Sequence, residues 1–178
     1  DAVSFRAAVL VHFYSYYISM IYGLPEIFDR SVTVKLYADD VKIYSVIGSR
    51  IDCNNFQVNL TKLYSWSTQW QLSISYNKCG IVHVAAPSWF TANEDRLTYY
   101  ELGNNTLRSQ VSVKDLGITI DQSLKFSEHL TNICKVAHSR ANLIVRCFAS
   151  GDRESMLKAF KAYECPIVEY NSSTWSQH

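Results

Sequence analysis

The sequence predicts an α+β fold: an antiparallel sheet with a helix packed on it, followed by a helical segment. Three observations carry this. Two runs of period two, Val32–Tyr37 and Val41–Tyr44, meet at the short turn Ala38-Asp39-Asp40, the pattern of half-buried antiparallel strands. An apolar stripe at three-to-four spacing follows in Phe56, Leu60, Leu63, Tyr64 and Trp70, as one face of a helix requires. Beyond Leu124 the alternation stops and two further helical stripes take over. With 48% hydrophobic and 19% charged residues over 178 positions, the chain can bury one good core or two small ones, which excludes general disorder.

Each element follows from local chemistry. In the first strand Val32, Val34 and Leu36 alternate with Thr33, Lys35 and Tyr37; in its partner Val41 and Ile43 alternate with Lys42 and Tyr44 until Gly48. Asp52 is placed to cap the helix that follows, with Trp66 and Trp70 as core anchors. Leu72–Tyr76 alternates as a strand, Asn77-Lys78-Cys79-Gly80 turns, and Ile81–Val84 returns. Pro87–Arg96 is polar and reads as a loop, while Leu97–Leu102 and Thr106-Leu107 flank Gly103-Asn104-Asn105 as a hairpin. Val113–Ile120 reads as one strand, with Gly117 permitting close backbone approach. Ser127 is a plausible helix cap ahead of the stripe Leu130, Ile133, Val136, Ala137, Ala141 and Ile144. Gly151-Asp152 ends that helix and opens the next, with stripe Met156, Leu157, Phe160 and Tyr163, and Pro166 terminates or kinks it.

Charge and cysteine content narrow the function classes. A net charge of +1 gives the whole chain no field that would gather nucleic acid. Locally, Lys125, Lys135, Arg140 and Arg146 outnumber Glu128 between Leu124 and Phe148; a solvated helix face and a phosphate-binding face both fit. The five cysteines are scattered with no Cys-x-x-Cys pair, which argues against structural zinc and for reduced thiols in an intracellular setting, nucleus or cytoplasm. The sequons at Asn59, Asn104 and Asn171 carry no weight there. The uncharged run Ala7–Pro25 contains His12, serines and many tyrosines, unlike a membrane span or signal peptide, so no membrane partner is expected.

The chemistry concentrates at Asp39-Asp40. Adjacent carboxylates at a strand tip repel unless a cation neutralises them. A tip of this kind suits magnesium, a hard cation that prefers oxygen and works with phosphates. An Asp-Asp pair is also an ordinary turn sequence, and residue chemistry leaves both readings open.

The run Val34-Lys35-Leu36-Tyr37-Ala38-Asp39-Asp40-Val41-Lys42-Ile43-Tyr44 resembles the catalytic hairpin of reverse transcriptases of non-LTR (LINE-type) retrotransposons. Further blocks are similar to that family in the same order: Leu24-Pro25; Leu63 through Trp66 and Trp70 to Gln71-Leu72-Ser73 and Lys78-Cys79; Val113–Ile118; Phe126–Leu130 with Ile133 and Lys135; and Pro166–Tyr170 with Trp175. The resemblance implies an RNA-directed DNA polymerase. Residues 1–22 would be a divergent N-terminal segment, 23–122 the C-terminal part of the palm, and 123–178 a helical thumb segment. It also implies an RNA template, a DNA primer, deoxynucleotide substrates, and Mg²⁺ or Mn²⁺ as cofactor.

It further implies roles. Asp39 would ligate metal directly and Asp40 supply the second carboxylate, while Lys78 would screen the triphosphate or protonate pyrophosphate, if it is not simply an exposed turn lysine. Tyr37 would support the primer end or pack; Lys114, Lys135 and Arg140 would contact phosphates; Asp115 would cap or pair locally. Cys79 reads as buried filler. The resemblance fails early in the chain. There is no glycine before Gly23, where the family has a glycine-containing nucleotide-pocket loop, and Tyr22-Gly23 replaces the family's Asn-Asp. Val3–Ile21 is therefore expected to pack poorly. A third catalytic aspartate, with the rest of the palm and fingers, is expected upstream of this chain. Alone, the chain is expected to be inactive, and two other classes compete: a nucleic-acid-binding module without catalysis and an α+β scaffold without a ligand.

Overall fold

A computed structural model describes residues 6–13, 18–85, 99–148 and 151–176; the side chains of residues 6 and 18–22 lie outside that description, as does the Pro87–Arg96 loop reading. The chain forms two compact units, Asp1–Gly117 with Asp121–Leu124, and Ile118–Ile120 with Lys125–His178. The fold is α+β, with a mixed sheet and packed helices followed by helical segments.

The first unit is built on strands β1 (Arg6–His12), β2 (Thr33–Tyr37), β3 (Asp40–Val46), β4 (Gly80–Val84) and β7 (Ser109–Gln110), in the order β2-β3-β1-β4-β7. All pairs are antiparallel except β4 with β7. Within Val3–Ile21, expected to pack poorly, Arg6–His12 instead supplies the central strand, while residues 3–5 and 14–17 lie outside the described residues. Ala7, Val9 and Val11 are fully buried and Leu10 nearly so. Ala7, Val9 and Val11 face the core that the helix Arg50–Gln69 covers, and the missing glycine loop has no bearing on that. A 3-10 segment, Ile18–Ile27, follows and buries Leu24.

Strand parity divides the sheet. One face carries Val9, Val11, Val41, Ile43 and Ile81, which share a core with Cys53, Phe56, Leu60, Leu63 and Trp66 of α1 (Arg50–Gln69). Burying each of these larger side chains stabilises the fold by about 1.5–3 kcal/mol. Phe56 meets Tyr100 edge to face at 5.1 Å, and Phe13 meets Trp66 at 6.3 Å. Trp66 is an anchor as expected; Trp70, at 45% exposure, is not. The cap of α1 is Ser49, not Asp52. Asp52 occupies the third helical position and returns a bond to the Ser49 N–H, the two forming a capping box. The bonds from Ser49 and Gly48 hold the Asp52 carboxyl below its ordinary pKa.

Leu72–Tyr76 is not a strand: Ile74 makes one bridge to Phe13, and Tyr76–Lys78 turns as a 3-10 segment. A hairpin forms at the predicted place but is shorter, with β5 (Glu101–Leu102) and β6 (Asn105–Thr106) closing on Gly103-Asn104, Asn105 in the strand rather than the turn, and residues 97–98 outside the described residues. Gly103 turns it at φ 63°, with the Tyr64 ring too close for a side chain there. Gln57 of α1 clamps it by bonding both the N–H and the C=O of Glu101 at 2.9 Å. The reading of Val113–Ile120 as one strand fails. β8 (Ser112–Asp115) and β9 (Ile118–Asp121) are separated by Leu116 and Gly117, both at positive φ.

In the second unit, α2 (Ser127–Cys147) starts inside a left-handed Phe126, so Ser127 is its first residue rather than its cap. Ile144 is buried while Val136 is 45% exposed and leaves the stripe. His129 is buried, edge-on to Trp175 at 5.9 Å, and its Nδ1 accepts the Thr119 N–H at 3.3 Å. Asp152 caps α3 (Arg153–Tyr163), as the sequence predicts. Pro166 then sits in the first turn of α4 (Cys165–Glu169), ahead of α5 (Ser172–Trp175). Among the described residues no helix is long and apolar enough to cross a membrane.

His83 of β4 gives a pH signature. It is buried on the core face near Tyr100, and burial lowers its pKa to about 4. A folded-state pKa below the ordinary value means the unfolded chain binds the proton more readily. Stability is therefore present above the unfolded value near 6.5 and is lost as pH falls toward 4. The loss amounts to roughly 3 kcal/mol across that window. Urea denaturation at a series of pH values checks this; in His83→Gln the slope between those limits flattens.

Candidate nucleic-acid and metal site

The hairpin β2–β3 brings the predicted residues together. Tyr37 pairs with Asp40, which leaves Ala38-Asp39 as a two-residue loop. Tight hairpin loops demand positive φ, and Ala38 meets this at φ 51°, in the region that favours glycine, at a cost of about 1–2 kcal/mol. Asp39 stands exposed at the tip and Asp40 half-buried beside it.

The face of the sheet opposite the core carries the polar groups. Thr33, Lys35 and Tyr37 of β2 stand opposite Tyr44, Lys42 and Asp40 of β3, and Ala8, Leu10 and His12 of β1 complete the rows. Tyr37 is 64% exposed and so has no packing role. The like-charged Lys35 and Lys42 stand directly opposite each other, a repulsive arrangement. It is relieved where Lys42 pairs with Asp115 of β8. Asp115 thus pairs across the fold rather than locally.

The remaining predicted residues are spread out. Lys78 is exposed in the turn Tyr76–Lys78, and Lys114 is exposed in β8. Lys135 and Arg140 belong to α2 in the second unit, where Arg140 donates to the Tyr163 carbonyl at 3.4 Å. Cys79 is buried, its thiol pKa raised by that burial, and its Sγ donates to the Ser75 carbonyl at 3.3 Å. It is filler rather than a nucleophile.

One contact at the tip was not legible. His12 stands in register with Asp40 across β1 and β3, and its Nδ1 donates to Asp40 Oδ1. The Phe13 N–H reaches the Asp39 carbonyl at 3.1 Å, and the Ser75 N–H reaches the His12 carbonyl at 2.8 Å. The signal available in sequence was a lone histidine closing an uncharged strand-like run. Its partner depends on strand order, which the run does not encode.

These residues do not fit a pair of magnesium ions. Two divalent cations about 3.5–4 Å apart need several anionic oxygens between them. Among the described residues no group of three or more His, Cys, Asp or Glu is placed to hold a metal. The group facing Asp40 is an imidazole, a nitrogen donor poorly matched to magnesium.

Two curated relatives match the chain. It is 28% identical over 151 residues to an RNA-directed DNA polymerase from mobile element jockey of Drosophila melanogaster, covering 83% of this chain and 16% of that protein. It is 24% identical over 147 residues to the protein of the same description from Drosophila funebris, covering 82% of this chain and 15% of the relative. No family model and no solved structure matches the chain. The two matches establish a distant, partial homology to non-LTR reverse transcriptases of the jockey type.

Proposed function

We propose that this chain is a palm-and-thumb portion of an RNA-directed DNA polymerase, with residues 23–122 from the palm and 123–178 from the thumb. In the longer protein it would serve nucleotidyl transfer from a deoxynucleotide to a primer 3′-hydroxyl on an RNA template. Magnesium or manganese belongs, in this reading, to that complete enzyme, whose further ligands lie outside the chain. The carrying observation is Tyr37-Ala38-Asp39-Asp40 at the tip of an antiparallel hairpin beside an open polar face; similarity to the jockey polymerases supports it.

This chain's own part is to hold a nucleic-acid duplex. In the first unit Tyr37 offers an exposed ring on the open sheet face and Lys114 a phosphate contact; in the second, taken by itself, Lys135 and Arg140 offer phosphate contacts. Fluorescence anisotropy with an RNA–DNA hybrid tests this. Affinity that falls steeply with salt is expected. It should survive Asp39→Asn/Asp40→Asn, and each of Lys114→Ala and Lys135→Ala should reduce the salt slope by about 1. Absence of hybrid affinity even at low salt would leave the scaffold reading in its place.

A further inference from the structure

β3 has a neighbour on each side. β2 joins it through the hairpin, and β1 runs beside it from Arg6 opposite Val46 to His12 opposite Asp40. On the β2 side the place opposite Asp40 is taken by Tyr37 of the same hairpin, so a carboxylate that shares a cation with Asp40 from the other neighbour, β1, would stand where His12 stands. A carboxylate accepts and cannot donate, so the bond between Asp40 Oδ1 and His12 Nδ1 puts the proton on the ring nitrogen. That nitrogen has no lone pair left for a metal, and the Asp40 oxygen faces an N–H in place of a cation.

His12 is not a loose cover. Its carbonyl is held by Ser75, the next residue is tied to the tip through the Asp39 carbonyl, and the Phe13 ring is buried against Trp66. The imidazole is only partly exposed, at 18%.

We propose that β1 is a built-in stand-in for the cation: His12 fills the place beside Asp40 that a third carboxylate would need, and keeps the Asp39–Asp40 tip closed to divalent metal. The inference rests on the polymerase reading only for expecting a cation at this tip, and its test reads cation binding rather than extension. One residue then sets the tip's chemistry. Aspartate at position 12 would replace an N–H donor with two oxygens in register with Asp40. Three crowded carboxylates repel until a cation joins them.

The test uses the full 178-residue chain with manganese as the probe, followed by electron paramagnetic resonance of the free ion, and with magnesium as competitor. The wild-type chain should bind manganese weakly, with no change in Asp40→Asn. His12→Asp should bind it on the order of tenfold more tightly or better, a gain that disappears in His12→Asp/Asp40→Asn. Tight wild-type binding that Asp40→Asn abolishes would overturn the proposal, as would a folded His12→Asp that binds no better than wild type. Should His12→Asp fail to fold even with manganese, the wild-type His12 ring resonances decide. Signals unmoved by millimolar magnesium are expected, whereas shifts that track magnesium and vanish in Asp40→Asn would refute it. Loss of the polymerase reading, through absent hybrid affinity, leaves each of these outcomes interpretable.

Discussion

Purified residues 1–178 should give no measurable primer extension on an RNA template supplied with magnesium and all four deoxynucleotides. Asp39 and Asp40 present carboxylates from one turn, and the group facing them is an imidazole already bonded to Asp40. Such a set does not define the positions of two cations, and misplacement by about 1 Å can cost on the order of a hundredfold in rate. Joining the chain to an upstream segment that bears a further aspartate should restore extension if that aspartate reaches the flank of Asp40, which β1 now fills. In the restored protein Asp39→Asn should abolish turnover and spare hybrid affinity, because duplex binding comes mainly from phosphate contacts. Magnesium-dependent extension by the isolated chain would mean that other residues complete the site.

The second large effect is on stability. Phe56→Ala should destabilise the first unit by about 3–5 kcal/mol, since it removes a fully buried ring and leaves a cavity against Tyr100. With a urea dependence of about 1–3 kcal/mol per molar, the midpoint should move by roughly 2 M. Tyr37→Ala, at a 64% exposed position, should stay within about 0.5 kcal/mol of wild type. Urea titration followed through the buried Trp66 measures both. A Phe56→Ala shift no larger than that of Tyr37→Ala would mean that α1 does not lie on the sheet as described.

What the sequence disclosed and what it hid have physical causes. β2 and β3 were legible because each has one wet face, so polar and apolar residues alternate. β1 was not, since Ala8 and Leu10 put apolar residues on its second face as well and so remove the alternation, and Ala7–Val11 then looks like any short apolar run. The helix α1 was legible from its stripe, but its cap was misplaced because Ser49 and Asp52 are both good capping residues and bond reciprocally. The alternation over Val113–Ile120 suits one continuous strand, but Leu116 and Gly117 turn the chain at positive φ, which apolar periodicity does not encode. At the site, Asp39 and Asp40 were found from local pattern alone. The bonds His12–Asp40 and Lys42–Asp115 join residues far apart in sequence, and only the strand order and the packing of β8 bring them together.

The central place of β1 also fixes the order in which the first unit can assemble. β1 precedes both of its neighbours: β3 lies beyond a 3-10 segment and β2, and β4 lies beyond the whole of α1. The hairpin β2–β3 closes locally, so it is the natural early structure, while the pairing of Leu10 with Gly80 must wait for a long loop to close. On the ribosome the apolar run Ala7–Val11 therefore emerges well before the strands that shield it. Folding of this unit should be slow for its size, and its first strand the part most in need of protection by a chaperone during synthesis.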